Sequence, residues 1–260
     1  MKYRLSILLL LLFVSANHLF SMNSEKQEFY QLKIYNFSDK SQENRLDKFL
    51  KDAYLPALHR TGIITVGVFK PIEGEDDHGK KIYVLIPFQT MDQFLQLESL
   101  LDRDQQYLNA GKDYIEARFD DPPYDRIESL LLRAFMDMPK LHVPNHPTPA
   151  GERIYEMRSY ESATEDLYKR KVHMFNQGGE IDIFDKLNFN AVFYGEVLSG
   201  STMPNLIYMT TFPDRATRDE YWNIFRTDPD WDELKIVEYY ANTVSKNTIY
   251  FLHPTDYSDI

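Results

Sequence analysis

The 260-residue chain carries 29 basic and 40 acidic residues, a formal net charge of −11, no cysteine, and 43% hydrophobic residues that include 17 Phe and 18 Tyr. So acidic a surface repels phosphate backbones and anionic head groups, which argues against nucleic acid and membrane surfaces as partners. Without cysteine there is no disulfide, no thiolate nucleophile, no lipoprotein anchor and no Cys-metal site.

Residues 1–21 read as an export signal. Lys2 and Arg4 supply a positive start, Ile7 to Val14 an apolar core, and Val14-Ser15-Ala16 or Ser21 the small residues for cleavage. An apolar run of roughly ten residues falls short of the ~20 that span a bilayer. The sequence thus predicts an extracytoplasmic protein, periplasmic or secreted, with no stable membrane anchor and a net charge of −13 once Lys2 and Arg4 are removed.

Phe29 to Tyr35 alternates as a strand, with Tyr30, Leu32 and Ile34 on one face and Gln31, Lys33 and Tyr35 on the other. Leu46, Phe49, Leu50, Ala53, Ala57 and Leu58 then recur at helical spacing, so the helix they form is expected to cover the Tyr30, Leu32, Ile34 face. It should kink at Pro56 and end by Gly62. Ile63 to Phe69 and Lys81 to Pro87 read as paired strands around a charged loop. Thr90-Met91-Asp92-Gln93 starts a second helix as a capping box, a polar helical stretch covers 104–117, and Ile127 to Phe135 is the fourth strand.

The order strand, helix, strand, strand, helix, strand is that of a ferredoxin-like split βαβ unit. Pro139, Pro144, Pro147 and Pro149 make 138–151 a linker. The pattern then repeats. Ile154-Tyr155-Glu156-Met157-Arg158-Ser159-Tyr160 matches the register of Phe29 to Tyr35 at an offset of 125 residues, which also pairs Ile82-Tyr83 with Ile207-Tyr208 and Tyr114 with Tyr239. Ser162-Ala163-Thr164-Glu165 caps a helix interrupted at Gly178-Gly179 and resumed over Ile181 to Leu187. Strands follow at Phe189 to Leu198, Asn205 to Phe212 and Asn247 to Leu252. Helices are expected at Asp214 to Phe225 and after Asp228-Pro229-Asp230, and the tail from Pro254 should lie across a surface.

Several runs together resemble bacterial proteins of the NIPSNAP family. They are Asp47 to Arg60, Val66-Gly67-Val68-Phe69-Lys70-Pro71, Tyr155 to Tyr160, Asn190-Ala191-Val192-Phe193-Tyr194-Gly195-Glu196 and His253-Pro254-Thr255-Asp256-Tyr257. The resemblance covers nearly all of the chain after the leader. It implies ferredoxin-like units of the dimeric α/β-barrel superfamily, which holds small monooxygenases, haem enzymes and non-enzymatic ligand binders, and it carries over no catalytic motif. The expected fold is α+β: tandem units at 24–137 and 152–260 whose antiparallel sheets close on each other as a pseudo-dimeric barrel.

Lys33 and Tyr35, with Glu156, Arg158 and Tyr160, are expected to point away from the helices, into the interface between sheets. Buried charge there needs partners, so these residues form either a network that fixes unit pairing or a pocket for an anion or carbonyl. His59, near a helix end, and His173, within a helix, are further candidates as a general base or haem ligand, although the helix dipole alone accounts for His59. His142 and His146 are spaced for metal, but prolines forbid the helix that would align them, and Asp76-Asp77-His78 reads as a solvated loop. Glu196 beside Gly195 is a candidate acid or base. The chain lacks the glycine fingerprints of nucleotide sites, the nucleophile elbow of serine hydrolases and the His-Glu-x-x-His of zinc proteases, so no cofactor or metal is read from it.

The sequence thus describes an exported protein that binds a small organic molecule or another protein, with further self-association open. The alternative is an enzyme, a cofactor-free or haem-dependent oxygenase or an isomerase, working between a sheet and its helices.

Overall fold

The computed structural model describes residues 26–260, so the predicted leader at 1–21 lies outside the described residues. Eight strands, β1 (Phe29–Asn36), β2 (Gly67–Pro71), β3 (Lys81–Phe88), β4 (Arg126–Ala134), β5 (Ile154–Glu161), β6 (Ala191–Ser199), β7 (Asn205–Phe212) and β8 (Lys246–Pro254), form one closed barrel. Its order is β1-β3-β2-β8-β5-β7-β6-β4, so the strands of each half run 4-1-3-2 in their own numbering, the ferredoxin-like arrangement. Two antiparallel seams join the halves. At one, β2 pairs with β8; at the other, β4 pairs with β6 across a bulge at Leu131/Leu132. A Cβ on Gly195 would stand 3.0 Å from the Leu132 side chain, a tight approach that favours glycine at the second seam.

Helices cover the outside. The first half carries α1 (Lys40–Phe49), α2 (Leu55–Arg60), α3 (Met91–Leu101), α4 (Gln105–Ala110) and α5 (Lys112–Ile115); the second carries α6 (Glu165–Phe175), α7 (Glu180–Lys186), α8 (Arg215–Arg226) and α9 (Pro229–Leu234). Between α1 and α2 the chain makes a π-helical turn, Leu50–Tyr54, and Pro56 sits in the first turn of α2, where its missing N–H is least needed. Thr90, Thr164, Asp214 and Asp228 each cap a helix with a side-chain oxygen. Gly179, at φ 85°, turns the chain from α6 into α7.

The expected alternation along β1 and β5 is present, but the faces are exchanged. Tyr30, Leu32, Tyr155 and Met157 point into the barrel, packing with Phe69, Tyr83, Leu130, Leu132 and Ile207. Tyr35 packs under the first-half helices with Leu46, Phe49 and Tyr54, and Tyr160 packs under the second-half helices with Phe175 and Trp222. Lys33, Tyr35, Glu156, Arg158 and Tyr160 therefore face helices, not the sheet interface. The reason is solvation. Once the sheets close, the lumen has room only for neutral side chains along its middle, whereas a covering helix can bring a counter-charge.

Four smaller expectations are corrected. The second strand begins at Gly67 rather than Ile63, and Val66 joins the C-terminal tail instead of β3, since Asp259 donates its backbone N–H to the Val66 carbonyl. That tail crosses the surface only as far as Asp259, and its last residue turns inward: Ile260 is buried with the lumen residues. Thr164, not Ser162, caps α6; the Ser162 hydroxyl donates to the Thr243 carbonyl. Finally, Tyr83 pairs with Ile34 and Tyr208 with Arg158, a one-residue difference in register between the halves. Tyr83 consequently faces the lumen while Tyr208 faces the helices, and the offset of 125 does not hold there.

Because Leu132 is fully buried in the lumen, Leu132→Ala should destabilise the protein by about 2–5 kcal/mol, while Leu95→Ala on an exposed helix face should fall within about 0.5 kcal/mol. Urea unfolding of both variants checks this assignment of faces.

Candidate functional site

The corresponding strands β1 and β5 place a cation under helices in each half, at Lys33 and Arg158. The two cations meet different surroundings.

In the second half, α8 lowers Arg218 and Trp222, one helical turn apart, onto the Glu156 carboxylate of β5. Glu156 is wholly buried and accepts from Arg158 Nε at 2.5 Å, Arg218 Nε at 2.6 Å, Arg218 Nη2 at 2.8 Å and Trp222 Nε1 at 2.9 Å. The Arg158 guanidinium lies 3.7 Å from the Trp222 ring centroid and donates to the Tyr160 hydroxyl at 3.2 Å, which is 2.9 Å from the Tyr208 hydroxyl. Burial raises the Glu156 carboxyl, but hydrogen bonds and charge from Arg218 and Arg158 bring it below its ordinary 4.5. Behind this network, Lys171 donates to Glu180 at 2.6 Å, both side chains buried. Phe175, Phe184, Phe189 and Phe225 fill the remaining space. The Glu156 oxygens are saturated, and the arrangement is a structural lock.

In the first half the same layer is open. A cleft of about 300 Å³ lies between β1 and the helices, lined by Lys33, Phe49, Tyr54, Phe94, Glu98 and Tyr107, among others. Lys33 Nζ lies 5.1 Å from the Tyr54 ring centroid and 5.4 Å from that of Tyr35. It makes no hydrogen bond or ion pair among the described residues. Burial lowers its basicity, with the Glu98 charge acting in the opposite direction. Phe49 stacks on Tyr114 at 3.6 Å, giving the cleft a flat aromatic wall. Burial pushes the Tyr107 phenol up to about 12, so its hydroxyl stays protonated at neutral pH. The arrangement offers a cation, aromatic faces and a phenol to an anionic or carbonyl-bearing aromatic compound.

Of the sequence candidates, Lys33 lines this cleft, Tyr35 supports it from beneath, and Arg158 and Tyr160 belong to the lock. The histidines are elsewhere. His59 Nε2 meets Asp259 at 2.8 Å on an exposed surface, and His173 Nδ1 meets the Tyr240 hydroxyl at 2.8 Å, also exposed. No histidine lines the cleft, so its residues do not fit a haem with an imidazole ligand. No group of three or more His, Asp or Glu poised for a metal occurs among the described residues. Glu196 accepts from Arg133 at 2.9 Å across the β4–β6 seam. Sequence reading did not assign Arg218 or Glu98. The Arg218 and Trp222 spacing of four on one helix was the available signal for the lock.

The architecture, an eight-stranded antiparallel barrel with helices outside, is that of the α+β dimeric-barrel class. Residues 155–259 match the NIPSNAP family model. Among solved structures, the chain is similar to a candidate monooxygenase from Lactobacillus acidophilus NCFM, with 11% identity, TM-score 0.55, and 88% of this chain and 94% of that one covered. A candidate monooxygenase from Fusobacterium nucleatum gives 6% identity and TM-score 0.56 over 88% and 93% of the two chains. An anthrone oxidase-like protein gives 7% and 0.51 over 89% and 93%. At these identities the likeness is one of fold. No curated protein matches the chain.

The lock has a pH signature. Its carboxyl titrates lower when folded than when unfolded, so its stabilisation is present above pH 4.5 and lost as pH falls through the folded value. Glu156→Gln, which leaves the buried Arg158 guanidinium without a carboxylate and costs Arg218 one of its two, should cost about 3–5 kcal/mol at neutral pH. In urea unfolding the difference from wild type should shrink below pH 4.5; a pH-independent difference would contradict the lock.

Proposed function

We propose that the protein is an exported, two-unit NIPSNAP-type barrel that binds a small aromatic carboxylate or carbonyl compound in its first-half cleft. The observation that carries this reading is Lys33, an ammonium under the helices with no anion bonded to it, facing a cleft of about 300 Å³. Lys33 is half-buried, so its ammonium is partly desolvated without a counter-ion, and a bound carboxylate would offset that cost. Arg158, its counterpart, has spent its hydrogen bonds on Glu156 and Tyr160, so the two halves divide into one that binds and one that braces. The leader-like residues 1–21 and the acidic body support export, and the 125-residue offset between the strand motifs supports two related units.

An enzyme in the same cleft is the second reading. Burial depresses the basicity of Lys33, as it would for a lysine that serves as a general base, and an acidic C–H or O–H of a bound aromatic compound could lose its proton to that amine. The names of the similar structures, candidate monooxygenases and an anthrone oxidase-like protein, lean the same way.

Calorimetric titration with 2-naphthoate tests the binding reading. Wild type should bind it, Lys33→Met should weaken binding by about tenfold or more, equivalent to ~1.4 kcal/mol, and should fold about as stably because only a half-buried, unpaired charge is gone. Equal binding by wild type and Lys33→Met, or none by either, contradicts it.

A further inference from the structure

The lumen is closed at one end and cupped at the other. At the closed end Ile260 packs against the residues of β2, and Leu141 covers the start of β1 through its bond to Glu28. At the other end, where β1 and β5 finish and β3, β4, β7 and β8 begin, a cup of about 270 Å³ opens into the barrel. Its floor is apolar, formed by Leu32, Leu130, Met157 and Ile207, and its wall carries Tyr83 and Tyr250 with ring centroids 5.8 Å apart.

Two features of this cup bear on what it can bind, a buried phenol and a solvent-exposed carboxylate. Tyr83 is 1% exposed, yet its hydroxyl has no hydrogen-bond partner. A buried, unpaired phenol costs free energy that Phe would avoid. On the rim, Glu128 receives only the amide of Asn36, at 3.1 Å, and is paired with no cation among the described residues. The other charged groups around the mouth are already matched: Glu161 with Lys246 at 3.0 Å, and Asp77 with Lys81 at 3.0 Å. An unspent negative charge, an unspent phenol and two aromatic faces thus stand above an apolar floor.

We propose that this cup is a second ligand site, separate from the Lys33 cleft, that takes a small organic ammonium bearing an apolar or aromatic body. The body lies on the Leu32, Leu130, Met157 and Ile207 floor. The ammonium donates to the Tyr83 oxygen and toward Glu128, and rests against the Tyr83 and Tyr250 rings. An anion would face the unpaired Glu128 carboxylate, with Lys246 already matched by Glu161, and is disfavoured there. The same polarity that excludes it sets this site apart from the first-half cleft, where the fixed charge is positive.

The test is calorimetric titration of the full chain with benzylammonium chloride, benzyl alcohol and sodium benzoate at low ionic strength. Benzylammonium should bind, with benzyl alcohol about tenfold weaker, and in the Lys33→Met chain, which lacks the first-half cation, benzoate should go undetected. Tyr83→Phe and Glu128→Gln should each weaken benzylammonium by about fivefold. Tyr83→Phe should unfold at the same temperature as wild type or higher, which separates lost binding from lost structure. Lys33→Met should leave benzylammonium binding unchanged, so failure of the first-half reading would not be mistaken for failure of this one. Benzyl alcohol binding as tightly as benzylammonium, Tyr83→Phe binding as wild type, or no binding of benzylammonium at millimolar concentration would each overturn the proposal.

Discussion

Closure of the barrel is the constraint on which everything else depends. Each strand has two faces, and once β2 has paired with β8 and β4 with β6, one face of all eight strands looks into a shared lumen. Helices cannot enter that space, so side chains must fill it, and a charge along its middle would have no partner. Apolar Tyr30, Leu32, Tyr155 and Met157 go inward, and period-two alternation then forces Lys33, Tyr35, Glu156, Arg158 and Tyr160 outward beneath the helices. The polar groups of β1 and β5 stand where they do because of this exclusion.

Beneath the helices the two halves solve the same problem differently. A cation on the outer face of a strand must be matched, left to solvent or offered to a ligand. In the second half α8 brings Arg218 and Trp222, and the pair of guanidinium groups closes around one carboxylate. In the first half Glu98 makes no ion pair with Lys33, and a cleft with aromatic walls lies beside the ammonium. One network gives rigidity, and the other leaves a site. The polarity of the lumen mouth is opposite again, with Glu128 unpaired beside Tyr83.

Much of the fold was legible in the sequence, because the signals for it are local. Strand alternation, the Thr90, Asp214 and Asp228 caps and the glycine break at 178–179 each act within a few residues, and the split βαβ order follows from them. Which face of β1 meets the helices was not legible. Tyr30, Leu32 and Ile34 are apolar, but Tyr35 and the stem of Lys33 are also compatible with packing, so both faces could be buried and only closure decided between them. Lys33 was visible as a candidate because a cation in an apolar strand demands explanation; its lack of a partner was not, since that depends on what α3 and α4 fail to bring near it. Glu128 and Tyr83 were invisible as a pair, being 45 residues apart in sequence and joined only by strand order around the barrel.

The central claim is that Lys33 is a half-buried, unpaired ammonium open to an anionic ligand. The most direct measurement is nuclear magnetic resonance of the lysine side-chain nitrogens, followed through pH and through addition of 2-naphthoate. The account predicts one lysine resonance that titrates below the others, moves on ligand addition with its basicity restored, and is missing from Lys33→Met. Lysines that all titrate together, or a Lys33 resonance indifferent to the carboxylate, would contradict it.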